Sequence, residues 1–551
     1  MLSMQAAEYT YSGLTGSNDW SSGTDWDFTP VSASDTTLTF TGTLGDGATL
    51  TSNNDVADPF ILNLINFNYD GPATGVTPVV TLSGQELNFV ADGSTNPQLR
   101  IVTGTAIEPS YIINNDIQIS DPLTLYTGTL TNGLIISTYN GQISGTGKIT
   151  ITGGTRQQGT TILTNTANDW SGDIEVRTGG TVSYTRRLQL GASEVIPDGA
   201  GKGNLSLYAN GEGTHTSLFQ LNGFNETING LQADYVDNMR NKDQNQQVQN
   251  GGATDSTLTI GANDTTANFM GRLADGVGGG KLNIVKTGSG TQTFAGNATY
   301  TGDTTINGGK IEVDYTQLGK TETSDPSNYF SPDSTLTMAG GTTFAIKGRA
   351  NGASVTDSVV TQQYGNYITV SSQAIADQLV VGQSINLSSH GNEFITGIVG
   401  ARIYTNSRTG GGAQTLTTTA STGTTSQELA GLTLSGADGS TATLDFGDTD
   451  TVIMTINSAP VQLIDGSTLT IANWGGSLSG GGGDQLIFSG NSSEFSSVFS
   501  QSEVTFDGYG AGYTLIDGGG SYEVTAIPEP VSLVLLLVSG LTFFAATRRR
   551  R

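Results

Sequence analysis

The stretch that decides the fold runs from residue 287 to residue 313 and reads TGSGTQTFAGNATYTGDTTINGGKIEV. It contains three short strand-like segments, 292–294, 304–306 and 310–313, and Gly or Asn separates each from the next. Apolar residues two positions apart predict half-buried β-strands, and Gly and Asn favour tight turns. This part of the chain is therefore predicted to consist of short strands joined by tight turns.

Most of the chain repeats this pattern. Alternating runs recur at 37–40, 148–152, 256–260 and 467–471. The 77 glycines among 551 residues disfavour helices, because Gly costs about 1 kcal/mol per helix position relative to Ala. The many Ser, Thr, Asn and Asp residues compete with the helix for backbone hydrogen bonds. The body of the chain is predicted to be all-β.

The charge and the lack of cysteine exclude several classes of function. The formal net charge is −27, which disfavours nucleic acid as a partner because like charges repel. Without cysteine the chain has no disulfide bonds, no thiolate metal sites and no cysteine nucleophile. The glycine run GVGGGKLN at 276–283 lacks the spacing of a phosphate-binding loop. No cofactor is predicted.

Few residues are candidates for catalysis or metal binding. His215 and His390 are the two histidines, and they lie in different regions without an evident partner in the sequence around them. Asp445, Asp448 and Asp450 would supply oxygen ligands to Ca²⁺, but the segment has no acidic residue at the twelfth loop position and does not repeat. We expect loop histidines and solvated turn carboxylates, and we assign no catalytic residue and no metal site.

Internal repetition distinguishes a solenoid from a sandwich or a closed barrel. Residues 278–315 have a weaker copy at 145–184, in which Trp170 takes the place of Tyr300. A single unit of this size cannot bury its apolar face, whereas stacked units bury a narrow continuous core. The repetition predicts stacked turns of chain with Ile, Leu, Val and Phe inside and Thr, Ser, Asn and Asp outside.

The stretch at 287–313 resembles the autotransporter-associated β-strand repeat. The resemblance is close over roughly thirty residues, and the copy at 145–184 is weaker. It implies a parallel β-helix of the kind displayed outside bacterial cells. The residues that match the family pattern are Gly288, Gly290, Gly296, Tyr300, Thr301, Gly302, Thr304, Thr305, Ile306, Asn307 and Gly309.

The predicted fold is an elongated parallel β-helix followed by a short C-terminal transmembrane helix. With about twenty residues per turn, residues 32–444 would make about twenty rungs and a rod on the order of 100 Å long. The expected divisions are an N-terminal cap at 1–31, β-helix at 32–352, an inserted or irregular β lobe at 353–421, further rungs and a cap at 422–526, and a tail at 527–551.

Aromatic residues near both ends of the solenoid are interpreted as caps. Trp20 and Trp26 would cover the first rung, although a pair of exposed Trp rings would also stack on sugars. At the other end an aromatic set would cover the last rung, whose open edge otherwise invites aggregation. That set is Trp474, Phe488, Phe506, Tyr509 and Tyr513.

The chain ends AIPEPVSLVLLLVSGLTFFAATRRRR, residues 526–551. Residues 531–547 are mostly apolar and lie at the short limit of a membrane-spanning helix. The following arginines, Arg548, Arg549, Arg550 and Arg551, favour the cytoplasmic side, which would leave the body outside. Pro528 and Pro530 would keep the preceding segment extended.

This tail resembles the PEP-CTERM sorting signal of bacteria, since the tripeptide Pro528, Glu529, Pro530 precedes an apolar run and terminal arginines. The resemblance implies recognition by an exosortase, a membrane-embedded cysteine protease that cuts near the tripeptide. The three residues would then be substrate elements without a catalytic role. An ordinary membrane anchor with an incidental Pro-Glu-Pro is the alternative.

The N-terminus offers less support for export. MLSMQAAEYTYSGLTG, residues 1–16, has neither a positive charge nor seven consecutive apolar residues, as a signal peptide requires. The segment MQAAEY resembles the end of a signal peptide. We expect the natural start to lie upstream, or the sequence to be a fragment.

Two functions follow from these observations. The first is a noncatalytic bacterial surface or extracellular-matrix protein, anchored in the inner membrane, processed by an exosortase, released to the cell surface or beyond, and associated with extracellular polysaccharide. The alternative is a secreted polysaccharide lyase or hydrolase on a β-helix, which would need carboxylates about 5 to 10 Å apart in a groove.

Overall fold

The computed structural model describes residues 7–103, 107–129, 134–154, 158–180, 184–211, 216–233, 245–316, 328–349, 351–361, 367–405, 411–420, 423–447 and 451–527. The chain is an all-β parallel solenoid of about 15 turns. A full turn places strands on three sheets, which we call face one, face two and face three in the order in which the chain visits them. The prediction of an all-β parallel β-helix is confirmed.

Face one consists of Glu8–Tyr11, Thr37–Thr43, Leu64–Asp70, Gln98–Thr103, Leu123–Thr129, Ile149–Gly153, Ile174–Gly180, Leu205–Gly211, Leu231–Gln232, Ala267–Phe269, Thr291–Phe294, Lys310–Asp314, Thr343–Lys347, Thr441–Asp445, Thr468–Ala472, Val504–Phe506 and the antiparallel Gly510–Ala511. Face two consists of Gly16–Asp19, Thr49–Asn54, Val79–Gly84, Ser110–Ile113, Leu134–Tyr139, Gln158–Leu163, Thr185–Leu190, Thr216–Gln220, Gln246–Gln249, Arg272–Ala274, Ala298–Thr299, Thr425–Leu429, Val452–Ile456, Gln485–Ser489 and the antiparallel Ser521–Ala526 and Tyr513–Asp517. Face three consists of Phe60–Leu62, Leu87–Phe89, Ile117–Ile119, Ile143–Gly145, Asp169–Trp170, Glu226–Ile228, Ser256–Ile260, Leu282–Lys286, Thr304–Ile306, Thr335–Met338, Gly431–Leu434 and Val461–Gln462.

Each face continues across short breaks in its hydrogen-bonded ladder. On face one, a parallel bridge between Ala233 and Phe269 spans the break. On face two, Asn328 donates its backbone N–H to Ser426 O at 3.0 Å. On face three, Asn168 donates to Val195 O at 2.8 Å. The solenoid therefore has one continuous apolar core.

The turns are longer than the sequence analysis assumed. On face one Thr37 lies opposite Leu64, and Leu64 lies opposite Gln98, so successive turns take 27 and 34 residues. A turn of 20 residues joins Ile284 to Thr304, inside the stretch quoted first. The prediction of about twenty rungs was wrong, because most turns are lengthened by loops at the corners, where the chain passes from one face to the next. Stacking about 15 turns gives a solenoid of roughly 70 Å.

Alternation along the strands builds the core. In Thr37–Thr43 the side chains of Leu38 and Phe40 are buried, and the threonines that alternate with them point outward. Equivalent residues of successive turns stack on each other, so that the Phe40 and Phe67 rings have centroids 4.9 Å apart. Burying each column of apolar side chains stabilises the register between turns, because a slip by one residue would expose the whole column.

Amide side chains hold the corners together. Asn229 is fully buried, and its Nδ2 donates to Gly199 O, Lys202 O and Gly203 O at 3.1, 2.9 and 3.0 Å. Its Oδ1 accepts the backbone N–H of Gly199 at 2.8 Å. Asn250 is also fully buried and donates to Thr254 O and Lys281 O. These amides satisfy carbonyl groups that the strand ladders leave unpaired where the chain bends.

The two copies of the sequence repeat lie on different faces. Trp170 ends the strand Asp169–Trp170 on face three, whereas Tyr300 follows the strand Ala298–Thr299 on face two. Both side chains are buried. The repeat therefore specifies strands and a bulky residue before the turn, but it does not specify the face. The length of chain between the two copies decides on which face the bulky residue lies.

A second apolar core lies within an insertion. Residues 356–418 form a closed barrel of six antiparallel strands, and residues such as Ile368, Ile403 and Leu416 fill it. At its junction with the solenoid, the buried Arg349 donates to Val381 O. The strands in their order around the barrel are Thr356–Thr361, Tyr367–Thr369, Arg402–Thr405, Gly391–Val399, Ser384–Leu387 and Gly412–Thr418, with the helix Gln373–Ala376 beside them.

Aromatic clusters lie at both ends of the solenoid. At the start Trp20 and Trp26 are buried, the former in a short 3-10 helix, Trp20–Ser22, with ring centroids 5.7 Å apart. Their burial excludes stacking on sugars. At the other end the Trp474 ring meets Phe506 at 5.0 Å, and Phe495, on the helix Ser492–Val498, meets Phe488, Tyr513 and Tyr522.

Replacing Asn229 by Ala is expected to lower the free energy of unfolding by about 2 kcal/mol or more, because a fully buried amide that bonds to three carbonyl groups and one backbone N–H is lost. Asn140→Ala is the matched control, since Asn140 is exposed and pairs with Asn114 on the surface. Denaturant unfolding followed by circular dichroism measures both. Equal midpoints for the two variants would contradict the role given to the buried amide.

Glu226 is fully buried on face three, where it accepts the N–H groups of Val195 and Ile196 at 3.1 and 2.8 Å. Burial, assisted by the nearby Glu194 and Asp198, raises the pKa of Glu226 to about 8 despite these hydrogen bonds. The proton is bound more tightly in the folded chain than in the unfolded one. The stabilisation it gives is thus complete below the unfolded pKa of 4.5 and is lost as the pH rises through about 8.

We therefore expect the denaturation midpoint of the wild type to fall between pH 5 and pH 9 by more than that of Glu226→Gln, which cannot ionise. The measurement is the difference between the two chains at each pH, which removes the contribution of groups they share. Parallel curves for the two chains would show that Glu226 does not titrate in this range.

Candidate functional site

The residues assigned to sorting and orientation, Pro528, Glu529, Pro530 and the arginines at 548–551, lie outside the described residues, as does the apolar run at 531–547. Within the described part of the chain, no helix combines the length and the apolar character that a membrane span needs. The sorting signal remains a prediction.

The other candidates from the sequence do not come together. Asp445 accepts hydrogen bonds from Asn473 Nδ2 at 2.8 Å and from the Gly447 N–H at 3.0 Å, whereas Asp448 and Asp450 lie outside the described residues. His390 is exposed on the inserted barrel, and His215 is outside the described part. The described residues contain no group of three or more His, Asp or Glu side chains suited to a metal ion.

Many carboxylates of the corners bind backbone N–H groups of a neighbouring turn. Asp116 accepts from Gln142 N, Asp173 from Asn204 N and Asp255 from Lys281 N, at 2.7, 2.7 and 2.8 Å. Each of these bonds satisfies a donor at the edge of a strand. The acidic residues of the corners thus have a structural role in joining turns.

The outward surface of face one differs from the corners. From Thr37–Thr43 to Leu205–Gly211 its side chains are mainly Thr, Asn, Gln and Ser, and the carboxylates among them are Asp70 and Glu175. Like charges stacked on adjacent strands would repel, so a face of this kind disfavours acidic residues. This flat, acid-poor surface is the candidate functional site.

Five residues of successive turns form a line across this surface, which we call the arginine–tyrosine column: Arg100, Tyr126, Thr152, Arg177 and Tyr208. Arg100 lies opposite Tyr126, and Tyr126 opposite Thr152. Ile151 lies opposite Val176, which puts Thr152 and Arg177 side by side, and Arg177 lies opposite Tyr208. The register alone brings these distant residues together.

Both arginines of the column stack on the tyrosine of the next turn. The Arg100 guanidinium carbon is 5.1 Å from the centre of the Tyr126 ring, and that of Arg177 is 4.0 Å from the centre of the Tyr208 ring. Stacking of this kind leaves the N–H groups at the guanidinium edge directed along the surface. Each pair is a rigid cation on an aromatic platform.

Glu175 lies beside the column and binds two cations. It accepts from Lys148 Nζ at 2.5 Å and from Arg177 Nε. Burial tends to raise its pKa, but the hydrogen bonds from Arg177 and Lys148 outweigh burial and lower the pKa of Glu175 below its ordinary value. Lys148 and Arg177 therefore share one carboxylate, and together with Arg100 they give the site a net positive charge in an acidic protein.

A buried arginine supports the corner next to the column. Arg186 is fully buried on face two, stacks on Tyr184, and donates through Nη2 to Thr127 O and Gly154 O at 3.0 and 2.9 Å. Burial lowers its pKa to about 10, which still leaves it charged at neutral pH. A Cβ at Gly153 would lie 2.2 Å from the guanidinium, so glycine is required there.

Comparisons with known proteins agree with the repeat identified in the sequence. Residues 158–183 and 284–313 match the passenger-associated-transport-repeat model, so the chain carries autotransporter-associated repeats. The chain is 27% identical over 388 residues to the adhesin BmaC autotransporter of Brucella suis biovar 1 (strain 1330). The match covers 63% of this chain and 11% of that adhesin. No solved structure matches the chain significantly.

Sequence reasoning did not find the column. Arg100 and Tyr126 are 26 residues apart, whereas Arg177 and Tyr208 are 31 apart, so no fixed period connects the two pairs. The two pairs could have been found by aligning the strands of each turn with those of the next. The varying lengths of the corner loops conceal this alignment in the sequence.

Arg186→Ala is expected to lower the free energy of unfolding by roughly 2–4 kcal/mol, because it removes two hydrogen bonds to carbonyl groups and leaves a cavity where a fully buried side chain was. Arg187→Ala is the control, since the neighbouring Arg187 points outward and is half-buried. Denaturant unfolding at pH 7 measures both variants. The account of this corner is wrong if Arg187→Ala is the more damaging change.

Proposed function

We propose that the chain is a noncatalytic, exported bacterial surface or extracellular-matrix protein whose solenoid acts as an elongated spacer or adhesin. The observation that carries the proposal is the pair of passenger-associated-transport repeats, at 158–183 and 284–313, built into a stacked parallel solenoid. The similarity to an adhesin autotransporter supports it. A solenoid displays a long surface per residue, which suits contact with extended partners.

We further propose that the tail sorts the protein. An exosortase would recognise Pro528, Glu529 and Pro530, the segment 531–547 would hold the chain in the inner membrane before cleavage, and Arg548 to Arg551 would stay on the cytoplasmic side. Cleavage would release the body to the cell surface or the surrounding polysaccharide. The order of tripeptide, apolar run and arginines supports this proposal.

The alternative function is a secreted polysaccharide lyase or hydrolase. It would use neighbouring carboxylates such as Glu86, whose pKa is raised by burial and by the charges of Asp58 and Asp116. Asp58 and Asp116, however, accept the backbone N–H groups of Glu86 and Gln142. Their engagement with the backbone favours a structural role for this group.

Expression of the full chain behind a functional signal peptide in a bacterium that has an exosortase tests the sorting proposal. We expect the body outside the cytoplasm with a C-terminus near residue 528, as read by mass spectrometry of its terminal peptide. Replacing Pro528, Glu529 and Pro530 together by Ala should leave the uncut chain in the inner membrane. An uncut wild-type chain with a tail that is not membrane-inserted would contradict the proposal.

Incubation of the purified chain with acidic and neutral polysaccharides separates the two functions. We expect neither new reducing ends nor unsaturated uronic acid products. If either product appears and is lost in Glu86→Gln, the alternative is correct. Asp507→Asn, a change to an exposed residue at the far end of the solenoid, is the control.

A further inference from the structure

We propose that the arginine–tyrosine column binds a linear acidic polysaccharide whose chain runs along the solenoid axis. The inference rests on the proposed function, which places the solenoid among extracellular glycans, and it adds the surface and the class of partner. It is argued from charge, from the stacking of the arginines and from the spacing of the turns.

Charge directs a polyanion to this surface. The chain carries a net charge of −27, so an anionic polymer is repelled from most of the molecule. At the column, Lys148 and Arg177 share the carboxylate of Glu175, and Arg100 lies three turns away, so three cationic side chains accompany one carboxylate. A positive patch on a negatively charged protein favours a partner of negative charge and favours its binding at that patch.

Stacking on the tyrosine rings orients both arginine side chains of the column for binding to a carboxylate. The Arg100 guanidinium rests on the Tyr126 ring and its Nε is buried, which leaves the terminal Nη groups as its candidate donors to a ligand. The Arg177 side chain keeps 45% of its surface exposed while it stacks on Tyr208. A stacked guanidinium offers a carboxylate two parallel N–H donors, and it loses little conformational freedom on binding.

The distance between successive turns suits an extended polysaccharide chain. Successive turns are about 4.8 Å apart, which is close to the advance per sugar of an extended polysaccharide. Arg100 and Arg177 are separated by three turns, or about 14 Å. Two carboxylates a few sugars apart would meet the two arginines, and the Thr152 hydroxyl between them would meet the hydroxyl groups of the intervening sugars.

The same geometry disfavours nucleic acid and neutral glycans. A nucleic acid strand carries a phosphate about every 3.4 Å, which does not match the roughly 4.8 Å between successive turns. Bases and neutral sugars bind to open aromatic faces, whereas guanidinium groups cover the rings of Tyr126 and Tyr208. A polymer with one carboxylate per sugar fits best, because its carboxylates recur at about the spacing of the turns and carboxylates three sugars apart meet the two arginines.

Isothermal titration of the full chain, purified in a mild detergent, with polygalacturonate tests the proposal. The matched ligand is the same polymer after reduction of its carboxyl groups, and an oligothymidylate is the third arm. The test variant is Arg100→Gln with Arg177→Gln. The control is Arg272→Gln, which changes an arginine on face two that bonds to Thr299.

We expect the wild type and the control to bind polygalacturonate and to bind the reduced polymer weakly or not at all. The double variant should bind about tenfold more weakly or worse while its denaturation midpoint stays that of the wild type. Equal binding of both polymers, unchanged affinity in the double variant, tighter binding of oligothymidylate, or no binding to polygalacturonate would each overturn the proposal.

Failure of this inference is distinguishable from failure of the proposed function. Binding is measured on the purified chain, whereas export and cleavage are measured in cells. A chain that is exported and cut but binds no acidic polymer would remove the inference alone. A chain that binds at the column but stays in the cytoplasm would remove the proposed function and leave the binding surface in place.

Discussion

The hydrogen bonds between successive turns are the constraint on which the rest of the structure depends. Each strand pairs in parallel with the equivalent strands one turn before and one turn after, so a residue's neighbours on its face lie roughly one turn away in the sequence. Inward columns such as Leu38, Ile65 and Leu99 fill the core, and outward columns define the surface. The register between turns therefore decides which side chains fill the core and which lie together on the surface.

Residues near 287–313 predicted short strands in stacked turns, because alternation, tight turns and repetition are properties of the local sequence, and the resemblance to the autotransporter-associated repeat implied that the strands run parallel. The number of turns was not predictable, since it depends on corner loops whose length varies from one turn to the next. The need for glycine at Gly153 was also not predictable, because a Cβ there would lie 1.8 Å from Thr127 O and 2.2 Å from the Arg186 guanidinium, groups that are distant in the sequence. An inserted or irregular β lobe was predicted at 353–421, but the closure of residues 356–418 into a barrel was not, because antiparallel closure depends on pairings across the whole insertion.

The distribution of charge connects the fold to the proposed role. Acidic side chains concentrate at corners, where they accept backbone N–H groups of neighbouring turns, and the flat outward surface of face one has few of them. A high net charge favours solubility in general, and the acid-poor surface is where we propose that anionic polymers bind. Function on such a scaffold lies in columns of residues from many turns, and the tail would decide where the scaffold is displayed.

The central claim is the parallel stacking of turns in this register, and a pair of spin labels tests it most directly. The chain has no cysteine, so Thr37→Cys and Ser206→Cys give one defined pair. The register connects these positions through Leu64, Gln98, Thr124, Thr150 and Glu175, six turns in all. Double electron–electron resonance should give a single narrow distance near 29 Å, and about 14 Å for Thr37→Cys with Thr124→Cys. A broad distribution, or distances that do not grow with the number of turns, would contradict the account.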